Sequence, residues 1–220
     1  MTYCSQLLDP NYPTVDIHDQ VSHVRELMSI HHLEYLPVLD GLQFIGMVSE
    51  DDLIDLEADA EMISIQGELS KAFVHSADHF LLALRFRAKH YVDAIPVLNE
   101  RNEWEGIISI QKLLDQVATF TGVATPGSMI ILEVSRHDYA LGEINRLVES
   151  NDAMIMQVNT IPDALSEQMQ VVLHINKEDL SDVVATFQRH EYNVVYYYGE
   201  ETYQNSLQSN LDHLLNYLNI

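Results

Sequence analysis

The first half of this chain is written twice, and that constrains its fold more than any single motif. Residues 12–55 reappear at 72–115, about 60 residues further on. HHLEYLPVLD at 31–40 aligns with HYVDAIPVLN at 90–99, which puts Pro37 on Pro96 and Val38 on Val97. GMVSEDDL at 46–53 then aligns with GIISIQKL at 106–113. A chain of 220 residues is long for one compact domain, so the duplication is expected to fill one domain and leave the remainder for a second.

Each copy opens a helical pattern after an aligned pair, Val15 and Asp19 in the first and Val74 and Asp78 in the second. Apolar residues recur at helical spacing, Val21, Val24, Leu27 and Met28 against Phe80, Leu84 and Ala88. Short β-rich runs follow at 36–39 and 44–48, or 95–98 and 104–108, and then a second helix. The unit is βαββα. Its LPVL and IPVL strands and its Gly-hydrophobic-hydrophobic-Ser ending resemble the CBS domain, copies of which pair as one pseudo-twofold module. The resemblance assigns residues 1–120 to a CBS pair, with repeats at about 1–60 and 61–120. It implies an adenosine-containing regulatory ligand, AMP, ADP, ATP or S-adenosylmethionine, in a cleft between repeats, with no obligatory cofactor.

In such domains a Gly-h-h-Ser/Thr-x-x-Asp motif holds the ribose, and the strand before it lines the adenine. The first repeat has the motif complete at residues 46–52, with Ser49 at a strand-to-helix junction and Asp52 one turn on. The resemblance therefore nominates Val15, Tyr35, Leu36, Pro37, Ser49 and Asp52 as nucleotide-binding. Ser-x-x-Asp at a helix start is equally a capping box, and acids in a first turn are favoured by the helix dipole whatever they bind. In the second repeat Lys112 stands where the acid belongs. It has no acceptor to offer a ribose hydroxyl, which makes Ile95, Pro96, Ser109 and Lys112 a degenerate second site.

TFTGVATPG at 119–127 breaks both helical and strand periodicity, and 121–127 is read as a linker. Beyond it, strands at 129–134, 153–158, 168–175 and 192–198 alternate with helices at 141–148 and 178–189. The order βαββαβ is ferredoxin-like, and after a CBS pair it resembles an ACT domain over 128–199. The expected class is thus α+β, and the whole order resembles acetoin-utilisation proteins of the AcuB type. Amino-acid-binding ACT domains often carry Asp-x-Pro-Gly before the first helix. Here the loop reads Arg136, His137, Asp138, Tyr139, Ala140, Leu141, Gly142, without the proline, and Asp138 serves equally as a turn or cap residue. Leu207, Leu211, Leu214 and Leu218 outline an amphipathic C-terminal helix at 203–220, suited to packing within the chain or on a second subunit.

The net charge of −23 repels phosphate backbones and anionic lipid, which argues against nucleic-acid and membrane partners. A single cysteine, Cys4, and a terminus without the basic and apolar regions of a signal peptide point to the cytoplasm. No catalytic residue is nominated. There is no Gly-x-Ser-x-Gly, Walker loop or Gly-x-Gly-x-x-Gly, and the eleven histidines, His31 and His32 adjacent among them, read as surface or packing residues, so no metal site is assigned. The acidic run Glu50, Asp51, Asp52, Asp55 reads as a solvated helical face, with Mg²⁺ beside a nucleotide phosphate the alternative. The expected protein is a regulatory ligand sensor, homodimeric like many CBS and ACT proteins, which presents a nucleotide-dependent surface to a protein partner. The competing expectation is a constitutive oligomeric scaffold with degenerate sites.

Overall fold

The computed structural model describes residues 1–123 and 125–199. The expected helix at 203–220 lies outside the described residues. Two compact units divide between Val117 and Ala118.

The first repeat runs β1 (Val15–Asp16), α1 (Val21–His31), β2 (Tyr35–Asp40), β3 (Gln43–Ser49) and a one-turn α2 (Glu50–Leu53). β1 lies parallel to β2, and β2 antiparallel to β3. The second repeat has the same order in β4 (Val74–His75), α3 (Phe80–His90), β5 (Ala94–Leu98), β6 (Trp104–Ser109) and α4 (Ile110–Thr121). The pairing is also the same.

The duplication extends to backbone detail. Both central pairs carry a bulge at the same point, between Val38 and Leu39 and between Val97 and Leu98. Asp19 Oδ2 accepts from the Asp16 amide at 2.7 Å, and Asp78 Oδ2 from the His75 amide at 2.9 Å. The aligned aspartates thus close the turn after each first strand, while Gln20 and His79 occupy the cap positions. Both helices end on a residue in the left-handed region, His32 at φ 53° and Tyr91 at φ 57°, where helices usually place glycine.

The repeats differ after their last strand. Only one turn of α2 forms, because the following residues serve α1 instead. The carbonyls of Ala58 and Ala60 accept from the Ser22 and Val21 amides, both at 2.9 Å. The carbonyls of Leu53 and Leu56 accept from the Arg25 guanidinium. Gln20 offers α1 no side-chain cap, and buried or not, the first amides of a helix need acceptors.

Each repeat encloses its own core, Met28, Leu36, Val38, Leu53 and Met62 in one, Cys4, Phe80, Ile95, Ile108 and Leu113 in the other. A fully buried aliphatic or aromatic side chain of this size contributes about 1.5–3 kcal/mol. A smaller cluster of Met47, Ala94 and Ile107 joins them, ringed by Tyr12, Tyr35, Phe44 and Trp104. Phe44 and Trp104 stack across the join with centroids 5.5 Å apart.

In the second unit β7 (Ser128–Ser135), α5 (Leu141–Glu149), β8 (Ile155–Pro162), β9 (Gln168–Ile175), α6 (Ser181–Arg189) and β10 (Asn193–Tyr198) build one antiparallel sheet in the order β10-β7-β9-β8. This is the ferredoxin-like arrangement. Ile144, Leu147 and Val148 of α5 and Val183, Val184 and Phe187 of α6 pack with Ile130, Leu132, Val171 and Leu173 of the sheet. β8 starts two residues later than its apolar pattern predicts, because Asp152 turns the chain at φ 54° and Ala153 drops into the core. No described helix is long and apolar enough to cross a membrane.

Candidate functional site in the cleft between the repeats

The Ser-x-x-Asp motif falls where β3 becomes α2. Ser49 is the cap residue, extended at φ −102° and ψ 165°. Its amide donates to Asp52 Oδ2 at 2.8 Å, its hydroxyl donates to the same oxygen at 2.6 Å, and the Asp52 amide returns a bond of 3.3 Å to Ser49 Oγ. The capping box is therefore real, yet it uses one carboxylate oxygen only. Asp52 Oδ1 has no protein partner among the described residues.

Ser49 and Asp52 form one wall of a cleft of about 260 Å³. Tyr35 and Met47 of the first repeat continue that wall, and Glu68 and Ser70 come from the segment joining the repeats. Phe86 and His90 of α3, Val92, and Ala94 and Pro96 of β5 bring the second repeat into the lining. The rings of Phe86 and His90 lie 4.4 Å apart and tilted by 33°, giving the same cleft an aromatic shelf. The lining mixes apolar and aromatic side chains with the polar groups of Ser49, Asp52, Glu68, Ser70 and His90, a chemistry suited to a small polar ligand.

The structure divides the sequence-derived candidates. Tyr35, Ser49, Asp52 and Pro96 face this cleft. Val15, Leu36 and Ile95 are buried in the repeat cores. Pro37 is not part of the lining. Successive strand residues point to opposite faces, so Leu36 cannot share a face with Tyr35, nor Ile95 with Pro96. Pro96, nominated for the second site, contributes to the first. The sequence reading missed Glu68, Ser70, Phe86, His90 and Val92, all brought in from beyond the first repeat. The available signal was the aromatic pair Phe86 and His90, one helical turn apart on α3.

In the second repeat the cap is half made. The Lys112 amide reaches Ser109 Oγ at 3.5 Å, and an ammonium cannot return the bond to the Ser109 amide. Among the described residues no group of three or more His, Cys, Asp or Glu side chains is placed to hold a metal ion.

The second unit has a hollow of about 330 Å³ beside the loop before α5, lined by Glu133, Ser135, Asp138, Glu143, Glu191 and Tyr192 among others. Asp138 does not cap α5; its amide donates to the Ser135 carbonyl at 3.0 Å, a turn contact, and Ala140 holds the cap position. Burial, then the neighbouring Glu143, push the Tyr192 phenol above its ordinary range. Four carboxylates make this hollow a poor host for the carboxylate of an amino acid.

Residues 4–59 match the CBS domain family. The first unit has the fold of a CBS domain pair. A solved CBS domain pair/ACT domain protein from Thermotoga maritima aligns with 54% of this chain and 98% of its own, at 23% identity and a TM-score of 0.50. The acetoin utilization protein AcuB from Vibrio cholerae aligns over 56% of this chain and 96% of its own, at 14% identity and a TM-score of 0.48. CBSX2, solved in complex with AMP, aligns over 55% and 98%, at 19% identity and a TM-score of 0.45. No curated protein matches the chain. The cleft described above lies between the two repeats of this fold, at the Ser49-x-x-Asp52 motif.

Proposed function

We propose that this protein is a regulatory sensor that binds an adenosine-containing ligand in the cleft of its CBS pair and acts through binding. The observation that carries this reading is the free Oδ1 of Asp52, beside Ser49 and in one cleft with the Phe86–His90 shelf. A vicinal diol would donate to the carboxylate while the serine holds the other oxygen in place, and a purine would lie between Tyr35 and the shelf. At about 260 Å³ the cleft sits near the small end of ligand cavities, which run from about 300 to 1,000 Å³. It suits a nucleoside with any phosphates directed outward. Asp52 and Glu68 line it, with His90 the only basic side chain of the lining, so adenosine, AMP and S-adenosylmethionine are favoured over magnesium-free ATP.

A ligand of this kind regulates only by favouring one arrangement of the repeats over another. The cleft is built from both repeats, so occupancy biases how they pack. A homodimer that presents this change to a protein partner in the cytoplasm completes the proposal, and analytical ultracentrifugation with and without ligand tests the dimer. The test of the site is calorimetry and thermal shift with adenosine, AMP, ATP and S-adenosylmethionine, on the wild type and on Asp52→Asn. A saturable shift is expected, weakened about 10- to 100-fold by the substitution, since a hydrogen bond to a charged group is worth about 1.5–3 kcal/mol. Equal binding by Asp52→Asn would remove Asp52 from the site, and no binding by the wild type leaves the scaffold alternative.

A further inference from the structure

Two repeats related by a twofold make two clefts. The first is framed by the end of β3, by α3 and β5, and by residues 68–72 ahead of β4. Exchanging the repeats puts its counterpart at the end of β6, beside α1 and β2, and against the segment ahead of β1. The two segments start alike. Leu69 lies against Gly46 as Leu8 lies against Gly106. The Ser70 amide donates to the Met47 carbonyl at 3.3 Å, and the Asp9 amide to the Ile107 carbonyl at 2.8 Å.

They then diverge. From Leu8 to Val15 the chain is two residues longer than from Leu69 to Val74, and this longer stretch carries Tyr12. This half-buried ring packs against the cluster of Met47, Ala94 and Ile107, and also against the first-repeat core, whose fringe holds Leu27 and Leu33. Its hydroxyl donates to the Tyr35 carbonyl at 2.7 Å. By the repeat alignment, Ala94, Ile107, Leu27 and Leu33 are the counterparts of Tyr35, Met47, Phe86 and Val92, all of which line the first cleft.

We infer that Tyr12 is a built-in occupant of the second cleft, seated where a nucleoside would sit, so that each chain takes one ligand rather than two. The inference rests on the reading of the first cleft given above. Lys112 fits it, because a cleft closed from within has no ribose for an acid to bind. Burial, with Asp9 and Asp93 nearby, raises the Tyr12 phenol well above its ordinary range, which keeps the hydroxyl a donor to Tyr35.

The test uses the full chain with two probes. Calorimetry of the wild type with adenosine should give one equivalent per chain; two equivalents would overturn the inference and leave the first site standing. The second probe, p-cresol, has the shape of the tyrosine side chain. Tyr12→Ala should lose roughly 10 °C in Tm and recover several degrees in millimolar p-cresol, as an apolar cavity binds a ring of matching shape. Wild type and Tyr12→Phe should not respond. If Tyr12→Ala does not fold, Tyr12→Val takes its place. Failure of p-cresol to stabilise the truncated variant rejects the inference even where no adenosine binds, an outcome that separately rejects the sensor.

Discussion

Asp52 caps α2 with one carboxylate oxygen, and the proposed ligand contact through the other can be separated from that role by measurement. Without ligand, Asp52→Ala should cost about 1 kcal/mol through the lost cap, read as a lower urea midpoint; with adenosine it should also lose the ligand-induced shift. A purely structural aspartate would show the first effect and keep the second. Cys4 is fully buried, and burial, then the charge of Asp78, raises its thiol from an ordinary 9.0 to about 11. The folded protein holds this proton more tightly than the unfolded chain, so the stabilisation is complete below pH 9 and is lost as pH rises toward 11. Native protein should therefore resist a thiol reagent at pH 8 and react at once in denaturant; fast native labelling would contradict the buried environment. Ser49 and Asp52 were legible in the sequence because their relation is local. Phe86, His90, Glu68 and Ser70 were not, since only the docking of one repeat on the other gives them a common space. Val15, Leu36 and Ile95 were nominated from the right segments but face the cores.

Among the elements, the strands that carry the sites are held by their neighbours. A Cβ on Gly46 would lie 2.6 Å from the Leu69 Cβ and 3.0 Å from the Ser70 carbonyl oxygen. Gly46→Ala should thus push away the segment that brings Glu68 and Ser70 to the cleft. Overpacking of this kind costs typically about 1–3 kcal/mol, and adenosine affinity should fall with it; unchanged affinity would mean that the segment does not shape the site. The left-handed ends of α1 and α3 give an opposite prediction. His32→Gly should raise stability by a few tenths to about 1 kcal/mol by chemical denaturation, because the conformation strains a side chain and not glycine. Helices and central strands were legible because apolar spacing is set by burial. The truncation of α2 was not, because it depends on Arg25 and the first amides of α1 competing for carbonyls that a longer helix would have kept.

Over the molecule as a whole, a net charge of −23 works against the compact state. Raising NaCl from about 50 mM to 0.5 M should increase Tm by screening that repulsion. Described ion pairs such as Arg87–Asp93, at 3.3 Å and partly exposed, give salt little to weaken; a falling Tm would mean that specific pairs outweigh the general field. The duplicated architecture was legible because two copies of one pattern rarely arise by chance. How the copies share their clefts was not, because that turns on two inserted residues and one ring. The stack of Phe44 on Trp104 has a practical bearing on both clefts. Trp104 is the chain's sole tryptophan, and it lies on the seam where the repeats meet. Excitation at the red edge of protein absorbance therefore addresses that seam selectively, and any ligand that shifts one repeat against the other should announce itself as a change in emission colour, with no label attached.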